Sequence, residues 1–207
     1  MINEIYTFDD IVNSEIQNEL QTYVHNKNLQ WDDIKNITSD ENGHTAYSFP
    51  AKVLLNKKID KNILKLINII INNSLLKINK KLLKKYRIKI NKTIPHVFDL
   101  NEEYRLLHID KREQHVVIIY YMNDCDGDTL IFNDKNNKHL KNIKEFMTDG
   151  SFLDFKNFEL IKTISPKKGR VVMFDGNLWH YGKYPTTGER NVININLVIE
   201  ERSNKLI

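Results

Sequence analysis

The 207 residues contain a single cysteine, Cys125. That excludes an internal disulfide and any zinc site built from several thiolates, and a reducing, intracellular compartment is the natural expectation. Long apolar runs are missing too. The most apolar stretch, Ile63 to Leu76, is interrupted by Lys65, Asn68, Asn72 and Asn73, so it is too short and too polar to cross a bilayer. The opening MINEIYTFDD is acidic, where a secretory peptide is basic and then apolar, so no targeting segment is expected and the reading is cytoplasmic. There is no large excess of charge of either sign. A net charge of +4 neither demands nor excludes a nucleic-acid partner.

What is present suffices for a folded core. Hydrophobic residues make up 41% of the chain and charged residues 28%, which excludes global disorder. Asp9 and Asp10 precede Ile11, Ile16, Leu20 and Val24, the spacing of a helix with acidic residues at its start. From Asp60 to about Lys85, Ile63, Leu64, Ile67, Ile70, Ile71, Leu75, Ile78 and Leu82 form one face of a long helix, with a break expected at Asn72-Asn73-Ser74. The stretch SDENGHTAYSFP between the helices reads as a loop.

After Arg87 the texture changes. The runs RIKI, VVIIYYM, TLIF, RVVMF and NVININLVI are rich in β-branched and aromatic residues and are separated by polar clusters. They read as short antiparallel strands of a sandwich or jelly roll. The expected organisation is one α+β, mainly β domain over 1–207. Residues 1–86 form mainly helical support and 87–207 a β core, with an insertion at about 133–163 that is either a lid or a surface loop. The basic stretch Lys77 to Lys92 contains no acid. It fits a phosphate-binding strip or a solvated helix face, and the second reading is the expectation.

Chemistry concentrates in His108-Ile109-Asp110, His180 and Arg190. Side chains two apart in a strand share a face, so His108 and Asp110 can grip one ion together. A third ligand from His180 completes two imidazoles and one carboxylate on one side of a metal, an arrangement that suits non-haem Fe(II) with open positions. A His-x-Asp pair alone is weak evidence; its order and surroundings give it weight. Arg190 opens the strand RNVININLVI, where a guanidinium can hold one end of a dicarboxylate bidentately; the alternative is a surface ion pair. On strand alternation Asn194 and Asn196 share its face and line a pocket.

The ordered set His108-x-Asp110, YYMND, DGDTLIF, SPKKGRVVMFDGNLWH and Gly188-Glu189-Arg190 resembles the prolyl-4-hydroxylase-like branch of the Fe(II)/2-oxoglutarate oxygenases, in particular its small phage and microbial forms. The resemblance covers roughly residues 96–200. It implies a double-stranded β-helix (jelly roll) braced by N-terminal helices, with Fe(II) on His108, Asp110 and His180. It implies 2-oxoglutarate held by Arg190 with Tyr121 and Thr129, Asn194 lining the same pocket, and ascorbate as a candidate reductant. Dioxygen and an unidentified substrate are the other expected partners, with no membrane partner. A peptide, by the family name a peptidyl proline, is preferred to nucleic acid, because the repair branch carries a second arginine on the strand after the last histidine. The chain departs from relatives that place serine two residues after the arginine, where it has Val192.

Other readings of the same residues are a non-catalytic jelly-roll binding or structural protein with a relic metal site, a nucleic-acid-modifying oxygenase, and a cupin-like metalloenzyme independent of 2-oxoglutarate. His44, His96, His115 and His139 are expected to be solvated or structural, Trp179 to pack, and Cys125 to sit in a loop.

Overall fold

A computed structural model describes residues 2–33, 51–96, 107–111, 113–134 and 158–202. In chain order the elements are β1 (Tyr6–Phe8), α1 (Ser14–Val24), β2 (Asp32–Asp33), β3 (Ala51–Leu55), a 3-10 turn (Asn56–Lys58), α2 (Lys61–Lys77), β4 (Lys80–Thr93), β5 (Val116–Tyr121), β6 (Thr129–Asp134), β7 (Phe158–Ile164), β8 (Val171–Asp175), β9 (Trp179–Gly182) and β10 (Arg190–Glu201).

All strand pairs are antiparallel, in a seven-stranded sheet of order β1-β8-β5-β10-β4-β3-β2 and a three-stranded sheet of order β7-β6-β9. Period-two alternation sorts each central strand of the large sheet. Ile118 and Tyr120 of β5, Met173 of β8 and Ile193 and Ile195 of β10 face the helices. Val117, Ile119 and Tyr121, Val172 and Phe174, and Val192 point the other way and meet Ile131 and Ile164 of the small sheet. The strands are buried on both faces, which is why VVIIYY reads as a continuous apolar run.

The helices cover the outer face. Asn13 caps α1 by accepting from the Ile16 amide at 3.0 Å, and Asp60 caps α2 by accepting from the Asn62 amide at 2.7 Å. Ile63, Ile67, Ile70, Ile71 and Leu75 of α2 are buried, at i, i+4, i+7, i+8 and i+12 spacing, and α2 packs on β4 while α1 packs on α2. Burying each of these side chains contributes about 1.5–3 kcal/mol.

Two expectations about α2 change. No break occurs at Asn72-Asn73-Ser74, because Asn73 donates to the Ile11 carbonyl and the Ser74 hydroxyl to the Ile70 carbonyl, so these polar groups are satisfied without interrupting the helix. The helix ends at Lys77 rather than near Lys85. Asn79 adopts φ 53°, a left-handed conformation that asparagine tolerates, and the chain reverses into the long strand β4. The basic stretch therefore lies mostly on a strand, and residues 1–86 supply strands β1 to β3 and the start of β4 as well as two helices. The insertion at 133–163 begins in β6 and ends in β7; its middle, 135–157, lies outside the described residues, as do His44 and His139.

Among the described residues, no helix is long and apolar enough to cross a membrane.

Candidate metal centre

His180 lies on β9, paired with Ile131 of β6. On the free side of β9 the chain returns at His108, and the two histidines form an isolated antiparallel bridge. The His108 amide donates to the His180 carbonyl at 3.1 Å and the His180 amide to the His108 carbonyl at 3.0 Å. Residues that exchange both bonds stand directly opposite on one face, and the imidazole centroids are 4.7 Å apart. Two residues on from His108, Asp110 turns its carboxylate to the same place. Its Oδ1 lies 3.8 Å from His108 Nε2 and its Oδ2 3.7 Å from His180 Nε2. One ligand atom from each of the three residues lies within 4.8 Å of the others.

The chemistry of the donors fits a divalent metal. His180 Nδ1 lies 3.1 Å from the Leu178 carbonyl, so the proton belongs on Nδ1 and the lone pair on Nε2. Phe174 packs edge-on beneath the ring at 4.9 Å. Burial, with His108 alongside, pushes the His180 pKa down to about 4, against an opposing pull from Asp110, so the imidazole is neutral at pH 7. Its Nε2 is buried and has no hydrogen-bond partner among the described residues. Burial alone would raise the Asp110 pKa, but His180, His108, Arg87 and Lys89 outweigh it and hold the carboxyl well below its ordinary value. The set is two imidazoles, at least one neutral, and one ionised carboxylate.

Asp110 is gripped from both sides. Arg87 Nη2 donates to Oδ1. Asn194 Nδ2 and Asn196 Nδ2 donate to Oδ2 at 3.1 and 2.8 Å. The asparagines expected to face inward do so, and both their amide groups act on the acidic ligand. Such partners fix the orientation of a metal-binding carboxylate.

A cavity of about 400 Å³ opens beside the triad, lined by His108, Asp110, His180, Thr129, Arg190 and Asn194 among others. Arg190 is buried. Its Nε donates to the Gly127 carbonyl at 2.8 Å and its Nη2 to Thr129 Oγ1 at 2.7 Å. The Tyr121 hydroxyl donates to the same Oγ1 at 2.6 Å, and the guanidinium lies over the Tyr121 ring at 5.7 Å. Arg190, Thr129 and Tyr121 thus form one connected cluster, and Nη1 has no hydrogen-bond partner among the described residues. Two glycines make room: a Cβ on Gly182 would sit 2.8 Å from the guanidinium carbon, and one on Gly127 2.9 Å from Arg190 Cδ. Ile119 and Val192 supply an apolar wall.

Arg87, Lys89, Gly127, Gly182 and Tyr184 also line or shape this region, and none of them stands out in the sequence as a site residue. The signal that could have found Arg87 and Lys89 is period-two alternation across RIKINKT, once that stretch is assigned to a strand. Burial, with Arg87 beside it, lowers the Lys89 pKa, and Asp110 partly offsets this. The solvated-face reading of the basic stretch is thus corrected for these two residues. Of the remaining histidines, His115 is buried, with Nδ1 2.7 Å from the Glu113 carbonyl, and His96 is exposed with its ring near Tyr184. Trp179 packs edge-on against Phe158 at 5.2 Å, as expected.

No family model matches the sequence, and no curated protein matches it. Solved structures do. A prolyl hydroxylase from Trichoplax adhaerens, in complex with a hypoxia inducible factor oxygen degradation domain peptide, superposes with a TM-score of 0.60 at 12% identity over 94% of this chain and 83% of its own. An oxidoreductase of the 2OG-Fe(II) oxygenase family from Burkholderia pseudomallei gives 0.59 at 9%, covering 93% and 84%. HygX from Streptomyces hygroscopicus, with nickel, 2-oxoglutarate and hygromycin B bound, gives 0.57 at 10%, covering 96% and 83%. At these identities the likeness establishes the architecture: the fold is the double-stranded β-helix, or jelly roll, shared with 2-oxoglutarate/Fe(II) oxygenases.

Proposed function

We propose that the protein is an Fe(II)- and 2-oxoglutarate-dependent dioxygenase of the prolyl-4-hydroxylase-like type that hydroxylates an organic substrate. The observation that carries this is the buried Nε2 of His180, without a hydrogen-bond partner among the described residues, facing an ionised Asp110 carboxylate and the His108 imidazole. A buried lone pair without a donor costs stability, and a metal ion satisfies it. His108, Asp110 and His180 would hold the iron, which supplies the activation of dioxygen coupled to oxidative decarboxylation of 2-oxoglutarate to succinate and carbon dioxide, with ascorbate as reductant.

The remaining work falls to the chain. Leu178 fixes the His180 tautomer, and Arg87, Asn194 and Asn196 aim the carboxylate. Gly127 and Thr129 hold Arg190 so that its free Nη1 presents a charge to the distal carboxylate of the cosubstrate, and Tyr121 braces Thr129. Asn194 lines the same cavity. Ile119 and Val192 keep water from its wall, which strengthens the ionic contact at Arg190. A peptidyl proline draws support from the prolyl hydroxylases of the same fold; HygX, with hygromycin B bound, is a reminder that the fold by itself does not select a substrate.

The test is direct. Anaerobically prepared protein should bind one Fe(II), show a visible metal-to-ligand charge-transfer band when 2-oxoglutarate is added, and form succinate from it in air. A relic site would bind metal without the band, and a cupin-like enzyme would be indifferent to replacing Arg190.

A further inference from the structure

The inward face of β4, like that of its neighbour β10, is polar, unlike those of β5 and β8 further along the sheet. β5 and β8 present Val117, Ile119, Tyr121, Val172 and Phe174 to the space between the sheets. On β4, Ile88 and Ile90 face the helices, and the alternate residues Arg87, Lys89, Asn91 and Thr93 line the cavity. A polar row in that position needs partners. Arg87 has Asp110, and the Thr93 hydroxyl donates to the Arg190 carbonyl at 3.4 Å. Lys89 has neither a hydrogen bond nor an ion pair among the described residues, although its side chain borders the cavity.

Register puts Lys89 at the metal end. It stands opposite Asn194 on β10, and Asn194 donates to the Asp110 carboxylate. Arg190 stands opposite Thr93, four residues away along both strands, a separation of about 13 Å. Leu55 and Val53 of β3 flank Lys89 and Asn91 on the other side and also line the cavity. Among the described residues, the lining therefore holds three basic side chains besides the triad's imidazoles, Arg87, Lys89 and Arg190, against one carboxylate, Asp110, which Arg87 already pairs. With a dicarboxylate cosubstrate secured at Arg190, Lys89 has as counter-charge among the described residues only Asp110, which Arg87 already pairs.

We propose that Lys89 is a substrate anchor, and that the substrate carries an anionic group, a carboxylate or a phosphate, held against β4 beside the metal. The inference rests on the oxygenase reading and adds the class of substrate to it. It also explains the chain's tolerance of an enclosed lysine that has no ion pair among the described residues: burial disfavours its charged form, and a ligand of opposite sign offsets that cost.

The experiment uses the full chain loaded with Mn(II) and saturating N-oxalylglycine, an unreactive 2-oxoglutarate analogue that occupies the Arg190 end. This complex is titrated by calorimetry with inorganic phosphate and, separately, with acetate, at constant ionic strength. At least one anion should bind, and the tighter of the two identifies the group. Lys89→Met should weaken that binding about tenfold or more, the expected loss of one charge-assisted hydrogen bond. Lys89→Arg should retain most of it, and N-oxalylglycine affinity should not change in either variant. Thermal unfolding of Lys89→Met should match or exceed the wild type, since no hydrogen bond or ion pair among the described residues is removed.

Three results would overturn the proposal alone: no anion binding to the loaded wild type, anion binding unchanged in Lys89→Met, or weakened N-oxalylglycine binding in that variant, which would assign the lysine to the cosubstrate. Failure of the wild type to bind Mn(II) or N-oxalylglycine would remove the oxygenase reading, and this proposal with it.

Discussion

Arg87 reaches from β4 to donate to Oδ1 of Asp110, leaving Oδ2 to Asn194 and Asn196. The acidic member of the triad is thus held in one orientation by three donors on two adjacent strands. Arg87 also draws charge from the carboxylate, so its net effect on a metal has two opposing parts. Orientation should dominate, because a free carboxylate at this position would have several rotamers to lose on binding. Arg87→Leu and Asn196→Leu should each weaken metal affinity by about 10- to 100-fold. Lys84→Leu, on the solvent side of the same strand, should leave it unchanged. Competition between the protein and a chelator for Mn(II) measures all three, and tighter binding by Arg87→Leu would mean that the arginine mainly competes for the charge.

Gly182 ends β9 directly under the Arg190 guanidinium, where an added Cβ would come within 2.8 Å of its carbon. The group cannot shift freely, because Nε and Nη2 are tied to Gly127 and Thr129. Gly182→Ala should therefore raise the 2-oxoglutarate concentration needed for half-maximal succinate formation by about tenfold, as a displaced charge-assisted contact would. Metal affinity should stay the same, because His180, two residues earlier, faces the triad. An unchanged requirement for 2-oxoglutarate would move the cosubstrate away from Arg190.

Much of this geometry is legible in the sequence alone. The triad is readable because its chemistry needs few residue types, and strand alternation correctly puts Arg190, Val192, Asn194 and Asn196 on one face. The basic stretch was not legible, for a physical reason. Leu75, Ile78 and Leu82 continue the apolar spacing of α2, and nothing in the composition marks Asn79 as the point where the backbone turns left-handed. Read with a period of 3.6, Arg87, Lys89 and Asn91 scatter around a solvated helix; read with a period of two, they line the cavity. The roles of Gly127 and Gly182 depend on the position of a side chain more than sixty or just eight residues away, and only the folded structure supplies that.

Thr129 Oγ1 accepts from both Arg190 and the Tyr121 hydroxyl, inside a buried cluster. Thr129→Val keeps the shape and removes the acceptor. Two donors are then stranded, and stability should fall by about 1–3 kcal/mol, read as a lower urea midpoint at constant slope. Thr129→Ser should restore most of the loss. Equal destabilisation by serine and valine would show that packing of the methyl group, rather than the hydroxyl, is what matters.

The metal-free protein should lose stability in mild acid because of His180. Burial lowers its pKa from 6.5 in the unfolded chain to about 4 in the folded one. Above pH 6.5 the imidazole is neutral in both states and contributes no slope. Between 6.5 and 4 the unfolded chain takes up a proton that the folded protein refuses, so unfolding becomes easier as the pH falls. The full effect across that window is on the order of 3 kcal/mol. Asp110 works in a lower range: its folded pKa is held well below 3.8, so its stabilising contribution is intact above that value and declines only in stronger acid. Urea midpoints of metal-free protein at pH 7 and pH 5 should therefore differ, and a His180→Gln variant should lose most of that difference. Added Mn(II) should raise the midpoint more at pH 7 than at pH 5, because protons and metal compete for the triad. A wild-type midpoint that is flat from pH 7 to pH 4.5 would mean that water reaches the His180 ring and that its Nε2 is not the buried, waiting ligand on which the metal centre depends.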